Sequence, residues 1–87
     1  MAVFAVIPTM QPTTALDTRI NIKIPKADAL KLPLGEWLIA YNGTSKDLSD
    51  VLGISEGETI GGVVISISSY YGRATTDVWE FIQSKLK

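Results

Sequence analysis

An α+β fold built on an antiparallel sheet is the class this sequence predicts, from three observations. Short apolar runs at Ala2 to Ile7, Glu36 to Tyr41 and Val63 to Ile67 have the length and the β-branched or aromatic content of strands. Stretches with apolar residues three or four apart, near Leu16, Leu48 and Val78, alternate with them or follow them. Proline or glycine punctuates the junctions, at Pro8, Pro25, Pro33-Leu34-Gly35, Asn42-Gly43, Gly53 and Gly62.

The elements follow in order. Ala2 to Ile7, closed by Pro8, is too short and too apolar for a surface helix and reads as a buried strand. Pro12-Thr13-Thr14 with Asp17 gives a capping-box start for a helix on which Leu16, Ile20 and Ile24 share one face, and Pro25 ends it. The same segment, residues 13–24, also carries a strand pattern, because Ile20, Ile22 and Ile24 alternate. Ala27 to Leu32 and Glu36 to Tyr41 flank Pro33-Leu34-Gly35, where proline presets a turn and glycine accepts positive φ, and so form a hairpin. Thr44 caps a short helix with Asp47 three residues on, Leu48, Val51 and Leu52 are its buried stripe, and Gly53 stops it. Gly53 to Gly62 reads as a surface loop leading to the strand Val63 to Ile67. From about Thr75 to Leu86 an amphipathic helix presents Val78, Trp79, Ile82 and Leu86 on one face, with Phe81 at its margin.

That order, β-α-β-β-α-β, is the split βαβ arrangement of ferredoxin-like domains, with an added C-terminal helix, and it spans residues 1–87 as a single domain. A sheet with helices on one side alone should alternate in polarity, yet Val3 to Ile7, Trp37 to Tyr41 and Val63 to Ile67 are apolar on both faces. The last helix is the expected cover for the second face, and a sheet-to-sheet dimer is the next candidate.

Composition excludes several chemistries. The 87 residues include no His and no Cys, which removes the usual proton shuttle, thiol nucleophile, disulfide framework and zinc ligands; no metal and no cofactor is expected. Net charge is −1, and Arg19, Lys23, Lys26, Lys31, Lys46, Arg73, Lys85 and Lys87 are scattered, so no basic stripe argues for a nucleic-acid partner. The apolar N-terminus lacks a basic flank, is cut by Pro8 and is too short to span a bilayer, so the expectation is a soluble cytoplasmic chain with no membrane partner. Asn42-Gly43-Thr44 fits the glycosylation pattern but is read as turn and cap chemistry.

The candidate ligand-binding residues are Ser68, Ser69, Tyr70, Tyr71 and Arg73, a polar and aromatic cluster at the chain reversal before the last helix. Backbone N–H groups at a helix start attract anions, Arg73 would add a forked donor, and a tyrosine could stack; a small anionic ligand is the implied guest. The structural alternative pairs Arg73 with Asp77 one turn later. No catalytic residue is nominated, because the serines have no base near them in sequence. Asp47 and Asp50 suit the second helix better than a cation, Glu56 and Glu58 read as solvated, and Gly57 to Gly62 lacks the Lys-Ser/Thr pair of a phosphate loop. Ser45 to Ser55 begins like a helix-turn-helix, but no recognition helix follows. Trp37 and Tyr41 share a strand face, as stacking residues of RNA-binding domains do, without the accompanying basic and glycine positions.

Two stretches, Gly43-Thr44-Ser45-Lys46-Asp47-Leu48-Ser49-Asp50 through Leu52-Gly53-Ile54, and Ser68-Ser69-Tyr70-Tyr71-Gly72-Arg73-Ala74 with Asp77 and Trp79, resemble a group of small bacterial proteins of uncharacterised function. The resemblance covers the second half of the chain, implies a bacterial source, and brings no catalytic or ligand residue with it. The expected role is a non-catalytic binding or protein-interaction module, acting on a protein partner or by self-association. The competing role is a sensor or enzyme recognising a small anionic metabolite at the Ser68–Arg73 loop.

Overall fold

Strand β1 (Ala2–Pro8) lies inside a four-stranded sheet, in the computed structural model that describes residues 1–86. Strands β3 (Trp37–Tyr41) and β4 (Gly62–Ser66) both pair antiparallel with β1, and β2 (Ala29–Lys31) pairs antiparallel with β3, giving the order β2-β3-β1-β4. Phe4 stands opposite Ile39 on one side and Ser66 on the other. The fold is therefore α+β. Strands β1 and β2 run the same way with β3 between them, and β3 and β4 run the same way with β1 between them. Each of these two like-directed pairs is joined through a helix.

Two-residue periodicity sorts the side chains. Phe4 and Val6 share one face with Trp37, Ile39 and the half-buried Val64, and helices α1 (Thr14–Lys23) and α2 (Ser45–Val51) close over it. Leu16 and Ile20 from α1, Leu48 from α2 and Leu52 just after it are fully buried there. Each such side chain contributes about 1.5–3 kcal/mol by leaving water. Ile22 is exposed, which settles residues 13–24 as helix: a strand would have put it on the same side as the buried Ile20 and Ile24.

The opposite face carries Val3, Leu38 and Ala40, all buried, and helix α3 (Thr76–Lys85) packs on this side with its own Ile82 buried. Its cover is incomplete. Ile7, Val63 and Ile65, on the same face toward β4, remain exposed. A helix about 10 Å across spans roughly two strands spaced about 4.8 Å apart, so a single helix cannot close a four-stranded face.

Several boundaries differ from expectation for local reasons. Residues Lys26–Asp28 form a 3-10 turn, closed by the Asp28 N–H donating to the Pro25 carbonyl (2.8 Å), so β2 is shorter than Ala27 to Leu32. β4 is shifted one residue toward the N-terminus relative to Val63 to Ile67. The capping box at the start of α1 does not form. Thr13 occupies the N-cap, which places Asp17 one position too far along to reach back, and the Thr13 hydroxyl donates to the Asp17 carboxylate instead (3.1 Å). The box on α2 is complete: Thr44 Oγ1 accepts from the Asp47 N–H (3.1 Å) and the Asp47 carboxylate accepts from the Thr44 N–H (2.9 Å). The Pro33-Leu34-Gly35 turn forms, with Gly35 at φ +107° and its N–H donating to the Leu32 carbonyl (3.0 Å).

Polar contacts tie the layers together. Asp17 on α1 accepts from Trp37 Nε1 (2.9 Å) and Lys31 Nζ (2.8 Å), joining the helix to β2 and β3. Burial alone would raise its pKa, but hydrogen bonds from Lys31, Trp37 and Thr13, and the Lys31 charge, outweigh that and hold it below the ordinary carboxylate value. Arg19 donates to the Val51 carbonyl (3.2 Å) at the end of α2 and contacts Glu58 (3.4 Å), which stays solvent-exposed in its loop while pairing with the guanidinium. Lys85 pairs with Asp28 (3.0 Å), anchoring the end of α3. Among the described residues no helix is long and apolar enough to cross a membrane.

Candidate functional site

Ser68 to Arg73 forms most of a long crossing on the sheet's second face. The Ile67 N–H donates to the Val3 carbonyl (2.9 Å), so the chain leaves the sheet beside the start of β1. It arrives, at Ala74 and Thr75, beside the hairpin turn at the other end of that sheet. It makes that traverse without regular secondary structure, bending at Ser68 and Gly72, and the side chains of Ser68 to Arg73 are exposed.

Of the five candidate residues, the fold gives one a fixed partner. The Tyr70 ring stacks on Trp79 of α3, centroids 5.9 Å apart and planes 28° apart. Tyr71 is fully exposed. Ser68 and Ser69 are exposed and make no hydrogen bond among the described residues, so neither has a base positioned to activate it. Arg73 forms no ion pair among the described residues, so the pairing with Asp77 is absent, and Asp77 accepts from the Thr75 hydroxyl at the head of α3. That carboxylate places a negative charge in the first turn of α3, where an anion would otherwise be welcomed.

The concavity beside this segment is a groove of about 370 Å³ between the hairpin turn and the start of α3. Leu32, Pro33, Leu34 and Glu36 form one wall, and Ala74, Thr75 and Val78 the other. It is open, chiefly apolar, and large enough for a bulky side chain or two. None of the five candidate residues lines it, although Arg73 immediately precedes Ala74. Leu34, on its rim, is 86% exposed. Sequence reasoning treated Pro33-Leu34-Gly35 only as a turn; the signal for more was a leucine where a turn ordinarily carries a polar residue. A second hollow, of about 550 Å³, lies between the 3-10 turn, β2 and α3, and Lys85, the partner of Asp28, is part of its lining.

The remaining polar candidates have structural partners. Asp47 serves the α2 cap and Asp50 pairs with Lys46 (2.9 Å). The Thr44 backbone N–H first, then its hydroxyl, lower the Asp47 pKa, while the hydrogen bond from Lys46 lowers that of Asp50. No group of three or more Asp, Glu, His or Cys gathers among the described residues where it could hold a metal ion. Trp37 is buried on the helix-covered face and Tyr41 packs against the same core, so neither offers a stacking platform for a nucleobase.

Comparison with known proteins adds no family: no family model matches the chain, and neither the curated proteins nor the solved structures searched contain a match.

Proposed function

We propose that this chain is a non-catalytic protein-interaction module, built on a ferredoxin-like split βαβ frame with an added helix, that receives one segment of a protein partner in the groove between the hairpin turn and α3. The order β2-β3-β1-β4, with each like-directed strand pair linked through a helix, supports that frame. The observation that carries the function is a chiefly apolar groove with a strongly exposed leucine, Leu34, on its rim. Large exposed apolar groups beside a groove mark interaction sites, and Tyr and Arg are enriched at such interfaces.

The partner's chemistry follows from the walls. An apolar side chain fills the groove, Glu36 lines one wall, and Arg73, free of ionic partners among the described residues, directly precedes Ala74 of the other. The fitting segment therefore carries a bulky apolar residue flanked by an acid for Arg73 and a base for Glu36. Recognition of an isolated anion is the weaker reading, because Ser68, Ser69 and Arg73 do not surround a cavity and Asp77 opposes negative charge at α3.

Panning a random peptide library on the immobilised protein tests this. Enriched peptides should share an apolar residue with flanking charges, should shift the amide resonances of Leu32 to Glu36 and Ala74 to Val78, and should bind Leu34→Ser at least tenfold more weakly. Failure of any peptide to enrich, or equal binding to Leu34→Ser, overturns the proposal.

A further inference from the structure

The free edge of the sheet carries an inference that uses a different surface from the groove and stands without it. β4 is an outer strand. The Thr9 N–H donates to the Gly61 carbonyl (3.0 Å) and the Ile67 N–H to the Val3 carbonyl (2.9 Å). Those two bonds bracket the β1–β4 register, in which Ala5 faces Ile65 and Ile7 faces Val63. Odd-numbered residues of β4 therefore point their backbone groups at β1, and Gly62, Val64 and Ser66 point theirs outward. No partner for those outward groups exists among the described residues.

Edges are normally guarded by charge, proline, a bulge or shortness. The other edge is guarded: β2 is three residues long, ends in Lys31 and follows the Lys26–Asp28 turn. β4 has none of these defences. From Thr59 to Gly72 there is neither a charged residue nor a proline, and the pairing with β1 runs through Gly62–Ser66 without a skipped residue.

The edge is also complementary to itself. Turned about a two-fold axis at Val64, an antiparallel copy sets Val64 against Val64 and Gly62 against Ser66, and each of these pairs can exchange two hydrogen bonds through groups that all point outward. Between them, Val63 meets Ile65 of the copy at the close, non-hydrogen-bonded spacing, and these are the side chains left 48% and 46% exposed on the half of the second face that α3 does not reach. Moving the axis by one residue leaves strand ends overhanging. No like charges approach in this register, because the strand has none.

We propose that two copies of this chain associate through antiparallel β4–β4 pairing centred on Val64, forming one continuous eight-stranded sheet. Five residues a side make a small interface, below the roughly 1,200 Å² typical of stable complexes, so the dimer is weak, with a dissociation constant on the order of tens of micromolar or above.

Sedimentation equilibrium between about 10 μM and 1 mM, a range that brackets such an affinity, together with amide exchange over the same range, tests this. The expected result is a mass rising from monomer toward dimer while the Gly62, Val64 and Ser66 amides gain at least fivefold protection and those of Val63 and Ile65, already bonded to β1, do not change. Ser66→Pro removes an outward donor without touching the β1 ladder and should weaken association at least tenfold, with circular dichroism confirming the fold. Mixing V63K with I65E should restore association that each lacks alone, since those positions face each other. A monomer at all concentrations, or a dimer in which the even-numbered amides of β4 stay unprotected, overturns the proposal. The exchange result on the unaltered protein decides the matter even if a variant fails to fold.

Discussion

Replacing Asp17 with alanine takes the acceptor away from three donors at once, and they are not equally able to find another. Trp37 is 6% exposed, and its Nε1, which donates to Asp17 over 2.9 Å, would be left without a partner. An orphaned buried donor costs about 1–3 kcal/mol. Lys31 is nearly half exposed and can turn to water, so its loss adds about 0–1 kcal/mol. The Thr13 hydroxyl can rotate to solvent and adds little. The sum is about 1–4 kcal/mol, which for a domain of this size lowers Tm by about 5–25 °C. Urea titration followed by circular dichroism should show the midpoint falling with an unchanged slope. In a Trp37→Phe background, where no indole donor remains to be stranded, the same Asp17→Ala change should cost at least about 1 kcal/mol less. Asp17 also predicts a pH dependence. Its folded-state pKa lies below the unfolded value, so its contribution is complete above the ordinary carboxylate pKa and is lost as pH falls through the lower, folded value. The unaltered protein should therefore lose more stability than Asp17→Asn as pH drops from about 5 toward 2. A loss below about 0.5 kcal/mol for Asp17→Ala, the size of an ordinary surface change, or the same loss in both backgrounds, would refute the assignment of Asp17 as the tie between α1 and the sheet.

Two further predictions concern the other helices. Thr44→Ala opens the capping box on α2 and should cost about 1 kcal/mol in the same titration, whereas Thr13→Ala, whose hydroxyl caps no backbone N–H, should cost clearly less. Ile82→Ala uncovers the Val3, Leu38 and Ala40 side of the sheet and should cost about 2–5 kcal/mol, while Arg73→Ala, with no partner to lose among the described residues, should change stability by no more than about 0.5 kcal/mol.

What could be read directly from the chain was whatever its near neighbours decide. The α2 cap needs only Thr44 and Asp47, three apart, and it formed as expected. α1 ends where Pro25 makes continuation unfavourable, and α3 carries its apolar stripe within its own length. The expected box at the start of α1 does not form: Thr13 is the N-cap, and Asp17 accepts instead from Lys31 and Trp37, which lie 14 and 20 residues away. The candidate segment was correctly placed before the last helix, but nothing local reveals that it crosses the sheet, or that Leu34 borders the groove where it arrives. The apolar character of both sheet faces was visible; how far one helix would cover the second face depends on strand order, which only long-range pairing fixes.

The two faces of the sheet are closed by parts of the chain that become available at different times. Everything needed to pair β1, β2, β3 and β4 and to seat α1 and α2 is present once Ser66 has been made. Val3, Leu38 and Ala40 must wait for α3, which begins only at Thr76. A chain lacking α3 would therefore have every strand, one sealed side and one bare apolar side. A stop codon or proteolytic cut within the crossing segment would produce that form, and such a truncated chain should keep its strands yet bind chaperones that recognise exposed apolar surface.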